Sequence, residues 1–204
     1  MLTAGIILAA GQSRRMGKSK VDIPLKSVPL GSYAVNAALA SDLDLVIVVV
    51  RLDDSLHWLK HLPSTERLVV IRCSNAHMGM SHSLRSGVKV AEDRKVDCVV
   101  ILLADQPLVR MEHINTLLSV YSLSSTLHYV SAIDGNLDKP PLLLSNKIFS
   151  VICQLEGDIG ARQIIRNRSY LGERIILDKE VFYDADTPEA LEQISEHMET
   201  IESY

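Results

Sequence analysis

The chain has 204 residues, 47% of them hydrophobic and 23% charged, with a formal net charge of −4. That composition is globular, with room for one domain and a sizeable core, and it excludes both a disordered chain and two ordinary domains. No basic surplus advertises a polyanion such as DNA or RNA, and the longest apolar run, residues 98–104, is far short of a membrane span. Cys73, Cys98 and Cys153 form an odd set with no close pair, which argues against a disulfide framework or structural zinc. With a start that lacks the basic and long apolar segments of a signal peptide, a cytoplasmic, soluble protein is expected.

Short runs rich in Val and Ile alternate with segments of helical period. A first strand over residues 6–10 opens into a polar, Gly-rich loop. Helical spacing returns over 33–39, and 45–50 reads as the second strand. The pattern predicts a helix over 54–61 capped by Asp53 or Asp54, with Trp58 as a core residue. Strands follow at 68–71 and 96–103, with a helix over 81–92 between them. Beyond Asp105 the pattern loosens. It predicts a helix over 112–121, strands over 127–132 and 142–144, and a helix over 160–166. Short strands over 174–177 and 181–183 precede a closing acidic helix over 187–202, read as a solvated face or a partner contact. Strands apolar on both faces, alternating with helices, imply an α/β domain with a mostly parallel sheet flanked by helices. Such sheets bind ligands beyond the carboxyl ends of their strands, and two motifs fall there.

The first is the loop Leu8-Ala9-Ala10-Gly11-Gln12-Ser13-Arg14-Arg15-Met16-Gly17-Lys18-Ser19-Lys20. The small residues Ala9, Ala10 and Gly11 let a ligand approach the backbone, whose N–H groups can cradle phosphate oxygens. Arg14, Arg15, Lys18 and Lys20 supply enough positive charge to neutralise a triphosphate. A rival is the phosphate loop with four residues between its glycines; here five separate Gly11 from Gly17-Lys18-Ser19, which counts against it. The second motif is Asp105, which ends the most apolar strand just before Gln106-Pro107, a position from which a carboxylate can hold Mg²⁺ on phosphates. Asp186, in Asp184-Ala185-Asp186-Thr187-Pro188-Glu189, is a second candidate metal ligand, although Asp186 or Thr187 before Pro188 is also an ordinary helix start.

At these residues the chain resembles the molybdenum cofactor nucleotidyltransferases, most closely their cytidylyltransferase branch, over about residues 2–191. The opening block L-A-A-G-x-S-x-R-M-G-x-x-K is met from Leu8 to Lys20. The block N-x-x-x-G-M-x-x-S-L-x-x-G is met at Asn75, Gly79, Met80, Ser83, Leu84 and Gly87. L-A-D-x-P falls at residues 103–107, G-D-x-G-A-R at 157–162 and D-x-D-T-P-E at 184–189. Five blocks in order are far more specific than the opening one, which sugar-phosphate nucleotidyltransferases share. The chain departs from the family at Asp138-Lys139-Pro140, where Gly-His-Pro or Gly-Arg-Pro is usual, and at Ala185 and Ala190.

The resemblance implies a Rossmann-like nucleotidyltransferase fold with a nucleotide-binding half (1–107) and an acceptor-binding half (108–204). It also implies Mg²⁺-dependent transfer of CMP from CTP to the molybdenum–molybdopterin cofactor, with release of pyrophosphate. Ala10 bears on the nucleotide, since the guanylyl branch carries glycine there. A xanthine-dehydrogenase-type molybdoenzyme is the partner implied. Arg15, Lys20 and Asp105 are the expected catalytic residues, with Asp105 and Asp186 on the metal. Leu8, Ala9, Ala10, Gly11, Arg15, Lys20, Asn75, Gly79 and Ser83 are expected at the nucleotide. Asp158 and Arg162 are expected at the acceptor, unless Asp158 caps a helix. Ser81 reads equally as a helix cap, and His77 and His82 as ordinary loop side chains. A P-loop-like phosphotransferase and a non-catalytic carrier of the cofactor are the remaining alternatives.

Overall fold

The computed structural model describes residues 1–11, 19–166 and 169–202, the last two of these by backbone alone. The Gln12–Lys18 part of the first loop, with Arg14, Arg15, Gly17 and Lys18, lies outside the described residues. Seven strands form one sheet: β1 (Thr3–Leu8), β4 (Leu45–Arg51), β5 (Leu68–Cys73), β6 (Cys98–Leu103), β7 (Tyr129–Asp134), β8 (Leu137–Ser145) and β9 (Gly172–Ile176). Their order is β5-β4-β1-β6-β8-β7-β9, and β8 alone among them runs against the rest. A small hairpin, β2 (Pro24–Leu25) and β3 (Val28–Pro29), stands apart. The expected α/β architecture, a mostly parallel sheet flanked by helices in a single domain, is what the chain adopts.

The sheet is sandwiched because β1, β4 and β6 are apolar on both faces. One face carries Ile7, Val48, Val50, Val100 and Leu102, packed against α1 (Leu30–Ala40), α3 (Met111–Ser122) and Trp58. The other carries Ile6, Ile47, Val49, Val99 and Ile101, covered by α2 (Met80–Asp93), α4 (Phe149–Ile152) and α5 (Arg162–Ile165). Helix α2 lies so close to the sheet that a Cβ on Gly87 would stand 2.6 Å from Ile6 Cγ2, so glycine is required there. A third, smaller cluster joins Leu25 of the hairpin, Leu30, Leu108, Ala185 and Ile194 of α6 (Pro188–Glu202).

Two predicted elements are corrected. The helix expected over 54–61 is one 3-10 turn at His57–Leu59. Asp54 Oδ1 accepts from both Leu56 N and the Trp58 indole, and Leu56 takes a left-handed φ of 58°, which fixes a turn and not a continuing helix. The strand expected over 181–183 is a 3-10 turn at Lys179–Phe182, because Val181 N donates to Asp178 O and Tyr183 N to Glu180 O, i to i−3 bonds that take the main chain away from a ladder. The hairpin and α4 were not foreseen. Among the described residues Cys73, Cys98 and Cys153 are free thiols, and no helix is long and apolar enough to cross a membrane.

Candidate active site at the carboxyl edge of the sheet

Leu8 pairs with Leu103 in parallel register, so the segments leaving β1 and β6 emerge side by side. Ala9 N donates to Val49 O and Ala104 N to Leu8 O, which carries the ladder one residue further before the chains diverge. Ala9 and Ala10 are buried and Gly11 is exposed, with nothing among the described residues within 4 Å of where its Cβ would stand. Gly11 is thus the first exposed residue after β1.

Lys20 sits where the chain returns from that loop. Its Nζ donates to Asp105 Oδ2 at 2.6 Å and to Asp186 Oδ1 at 2.6 Å. Burial works against charge on Lys20, but the Asp105 and Asp186 carboxylates more than offset it and raise its pKa above the ordinary lysine value. The lysine side chain is 13% exposed, against 24% for Asp105 and 47% for Asp186. The carboxylates thus form the open side of the cluster and the ammonium its floor. The third apolar cluster explains how three sequence-distant groups meet: Leu25 follows Lys20, Leu108 follows Asp105, and Ala185 precedes Asp186. The two readings of the last block separate. Thr187 Oγ1 accepts from Ala190 N and caps α6, which leaves Asp186 to Lys20.

A second junction forms on the same edge, beyond β5. Gly79, at φ +131°, precedes α2, and a Cβ there would lie 2.3 Å from Gly157 O. Ser81 is not the cap of α2; its hydroxyl donates to Gly157 O at 2.7 Å. Asp158 Oδ1 accepts from Met80 N at 3.2 Å, so Asp158 does cap a helix, but α2 and not the one that follows it. Asn75 is exposed, Ser83 is 5% exposed inside the first turns of α2, and Arg162 is exposed on α5. His77 is exposed, and His82 is partly buried with its carbonyl accepting from Ser86 Oγ. Gln106, which sequence reasoning passed over, is 1% exposed and donates to Asp184 Oδ1 at 2.8 Å. Its place as the variable position of the 103–107 block hid it, and neither its burial nor its bond to Asp184 leaves a mark in the sequence.

Residues 5–173 match the family model described as a MobA-like NTP transferase domain. The chain belongs to that family. It is a nucleotidyltransferase. This NTP transferase is 38% identical over 202 residues to the purine catabolism protein PucB of Bacillus subtilis (strain 168), covering 95% of this chain and 96% of that one. It is 33% identical over 107 residues to a molybdenum cofactor guanylyltransferase of Rhodobacter capsulatus, covering 52% and 53% of the two chains. A nucleotidyl transferase from Methanothermobacter thermautotroptrophicus has the same fold, with a TM-score of 0.81 at 17% identity over 98% of this chain and 99% of that one.

Proposed function

We propose that this nucleotidyltransferase moves CMP from CTP to the molybdenum–molybdopterin cofactor with release of pyrophosphate, using Mg²⁺ in the cytoplasm. The observation that carries the reading is the Lys20–Asp105–Asp186 cluster beside the loop that opens at Ala9. The acceptor's terminal phosphate oxygen forms a bond to the α-phosphorus as the bond to pyrophosphate breaks. Both partners are anions, so the protein's work is to cancel charge and fix an in-line geometry. That phosphate is ionised near neutral pH, and no general base is assigned.

The donor set fits a hard divalent cation. Asp105 and Asp186 offer oxygens that both lie 2.6 Å from one nitrogen, close enough to share an ion. Among the described residues no cluster of three or more His, Cys, Asp or Glu side chains is placed to hold a metal alone, so phosphate oxygens and water would complete the shell. When bound, Mg²⁺, held by Asp105 and Asp186, would supply positive charge to offset the negative charge of the phosphates. Lys20 meets a phosphate from a position that the two carboxylates already set, and Arg15 adds a planar donor pair from the loop. The N–H groups of Ala10 and Gly11 cradle the phosphates, with Leu8 and Ala9 ending the ladder beneath them. Asn75, Gly79 and Ser83 take the base and ribose in the 1–107 half. In the 108–204 half, exposed Arg162 takes the acceptor, and Asp158 serves it through the junction it braces.

CTP is favoured by Ala10, 5% exposed where the guanylyl branch has glycine, and by the long match to PucB. The shorter match to a guanylyltransferase favours GTP as the second reading. A xanthine-dehydrogenase-type molybdoenzyme is the proposed recipient of the product. Pyrophosphate release with CTP, GTP or ATP, in Mg²⁺, with and without molybdenum-loaded molybdopterin, decides. Release with CTP and the cofactor is expected. Release with GTP, or with a sugar phosphate as acceptor, would overturn the substrate assignment and keep the enzyme class.

A further inference from the structure

Three carboxylates crowd the edge where the last block passes Asp105. Asp105 and Asp186 share Lys20, whereas Asp184 accepts from Gln106 Nε2 at 2.8 Å. A carboxylate accepts only, so the amide must turn its nitrogen toward Asp184. Backbone contacts reinforce this: Ala185 N donates to Asp105 O at 2.9 Å, and Asp186 N donates to Asp184 O at 2.8 Å. The segment 184–186 is therefore tied to the residues that follow β6 by the Ala185–Asp105 main-chain bond, by the Lys20 that Asp105 and Asp186 share, and by Gln106, whose side chain reaches it directly.

Packing alone does not call for glutamine here. Its neighbours in the chain, Ala104, Pro107 and Leu108, are buried, and an apolar side chain would fill the same space. Gln106 Oε1 is buried with no hydrogen-bond partner among the described residues, an arrangement that costs stability. A destabilising polar group beside a charged cluster is expected where function demands it.

We infer that Gln106 is a positioning residue: by engaging Asp184 it fixes the 184–186 segment so that Asp186 stands opposite Asp105 and these two carboxylates, not Asp184, receive the divalent cation. The inference rests on the cation site proposed above. It is tested on the full chain by titrating Mn²⁺ and reading the free ion by electron paramagnetic resonance, without nucleotide and with CTP, with thermal melts alongside. Gln106→Glu sets two carboxylates against each other and should weaken Mn²⁺ binding by about tenfold or more. Gln106→Leu keeps the bulk and loses the donor, and should weaken it similarly while still folding. Asp184→Asn keeps an acceptor for Gln106 and should stay within about threefold, since a positioning partner needs the hydrogen bond and not the charge. Combining Gln106→Glu with Asp184→Asn reverses the polarity of the bond and should recover most of the affinity.

Wild-type affinity in both Gln106 variants would overturn the inference, as would a double variant that recovers nothing. A loss in Asp184→Asn as large as in Asp105→Asn would also overturn it, by making Asp184 a ligand. Asp105→Asn separates the two levels. If that variant binds Mn²⁺ as wild type does, the cation site itself is wrong. If it loses binding while the Gln106 variants do not, the positioning role alone falls.

Discussion

The two junctions on the carboxyl edge are built on opposite plans. At the first, side chains 85 and 166 residues apart meet through formal charge: one ammonium and two carboxylates. At the second, the loop before α2 and the 155–160 segment meet through main chain, with Gly157 O receiving both the Ser81 hydroxyl and the Ser81 N–H. The first arrangement can cancel the charge of an incoming anion. The second sets the shape of the wall beside it. Damage to the first should therefore appear in rate, and damage to the second in stability.

The largest expected effect is in rate. Lys20→Ala and Asp105→Ala should each lower pyrophosphate release by roughly a thousandfold, while far-UV circular dichroism and cooperative melting persist. A near-normal rate in either variant would remove that residue from the proposed chemistry. The same cluster predicts a pH signature in stability. Lys20 has a raised pKa in the folded protein, because the Asp105 and Asp186 carboxylates outweigh its burial. Its charged form therefore stabilises the fold fully below the ordinary lysine value, and that contribution is lost as pH rises through the raised one. The melting temperatures of wild type and Lys20→Met should differ at neutral pH and converge at alkaline pH. A constant difference would show that Lys20 acts by packing instead.

At the second junction the largest effect is on the fold. Gly79→Ala would place a methyl group 2.3 Å from Gly157 O at a φ of +131°. Left-handed strain and the clash together should cost about 3 kcal/mol, lowering the melting temperature by roughly 10 °C. Ser81→Ala is milder. Ser81 is 0% exposed, and the lost bond leaves Gly157 O with the Ser81 main-chain N–H, so about 1 kcal/mol is expected. A drop as large for Ser81→Ala as for Gly79→Ala would mean that the hydroxyl, and not the close backbone approach, carries the junction.

The same contrast explains what could be read from residue types. Charged groups announce candidate chemistry, so Lys20, Asp105 and Asp186 stand out as candidates on residue type alone, and the Val-rich strands read at 45–50 and 96–103 match β4 and β6 to within two residues. The direct pairing of Lys20 with both carboxylates is not legible there, because it depends on a small apolar cluster whose members Leu25, Leu108 and Ala185 look like ordinary loop residues. The hairpin that follows Lys20 escapes a sequence reading because Lys26 and Ser27, not Asn-Gly, take the positive φ values of its turn. The Gly157 carbonyl could not be found at all, since a main-chain acceptor has no residue type to mark it.

Asp158 belongs to both plans and gives the smallest and most discriminating test. It is exposed, and its carboxylate accepts from Met80 N at the start of α2, where negative charge is favoured by the helix dipole. Asp158→Asn keeps an acceptor and removes the charge, so stability should fall by only about 0.3–0.5 kcal/mol, and less at high salt. Its effect on catalysis then assigns its role. If Asp158 acts only by bracing α2, KM for the acceptor should move no more than that small loss allows. If its carboxylate meets the acceptor, KM should rise several-fold, well beyond that small loss of stability, and Asp158→Glu should not restore it. A KM change that tracks stability across both substitutions places Asp158 wholly in the backbone junction, and leaves Arg162 as the proposed contact to the acceptor.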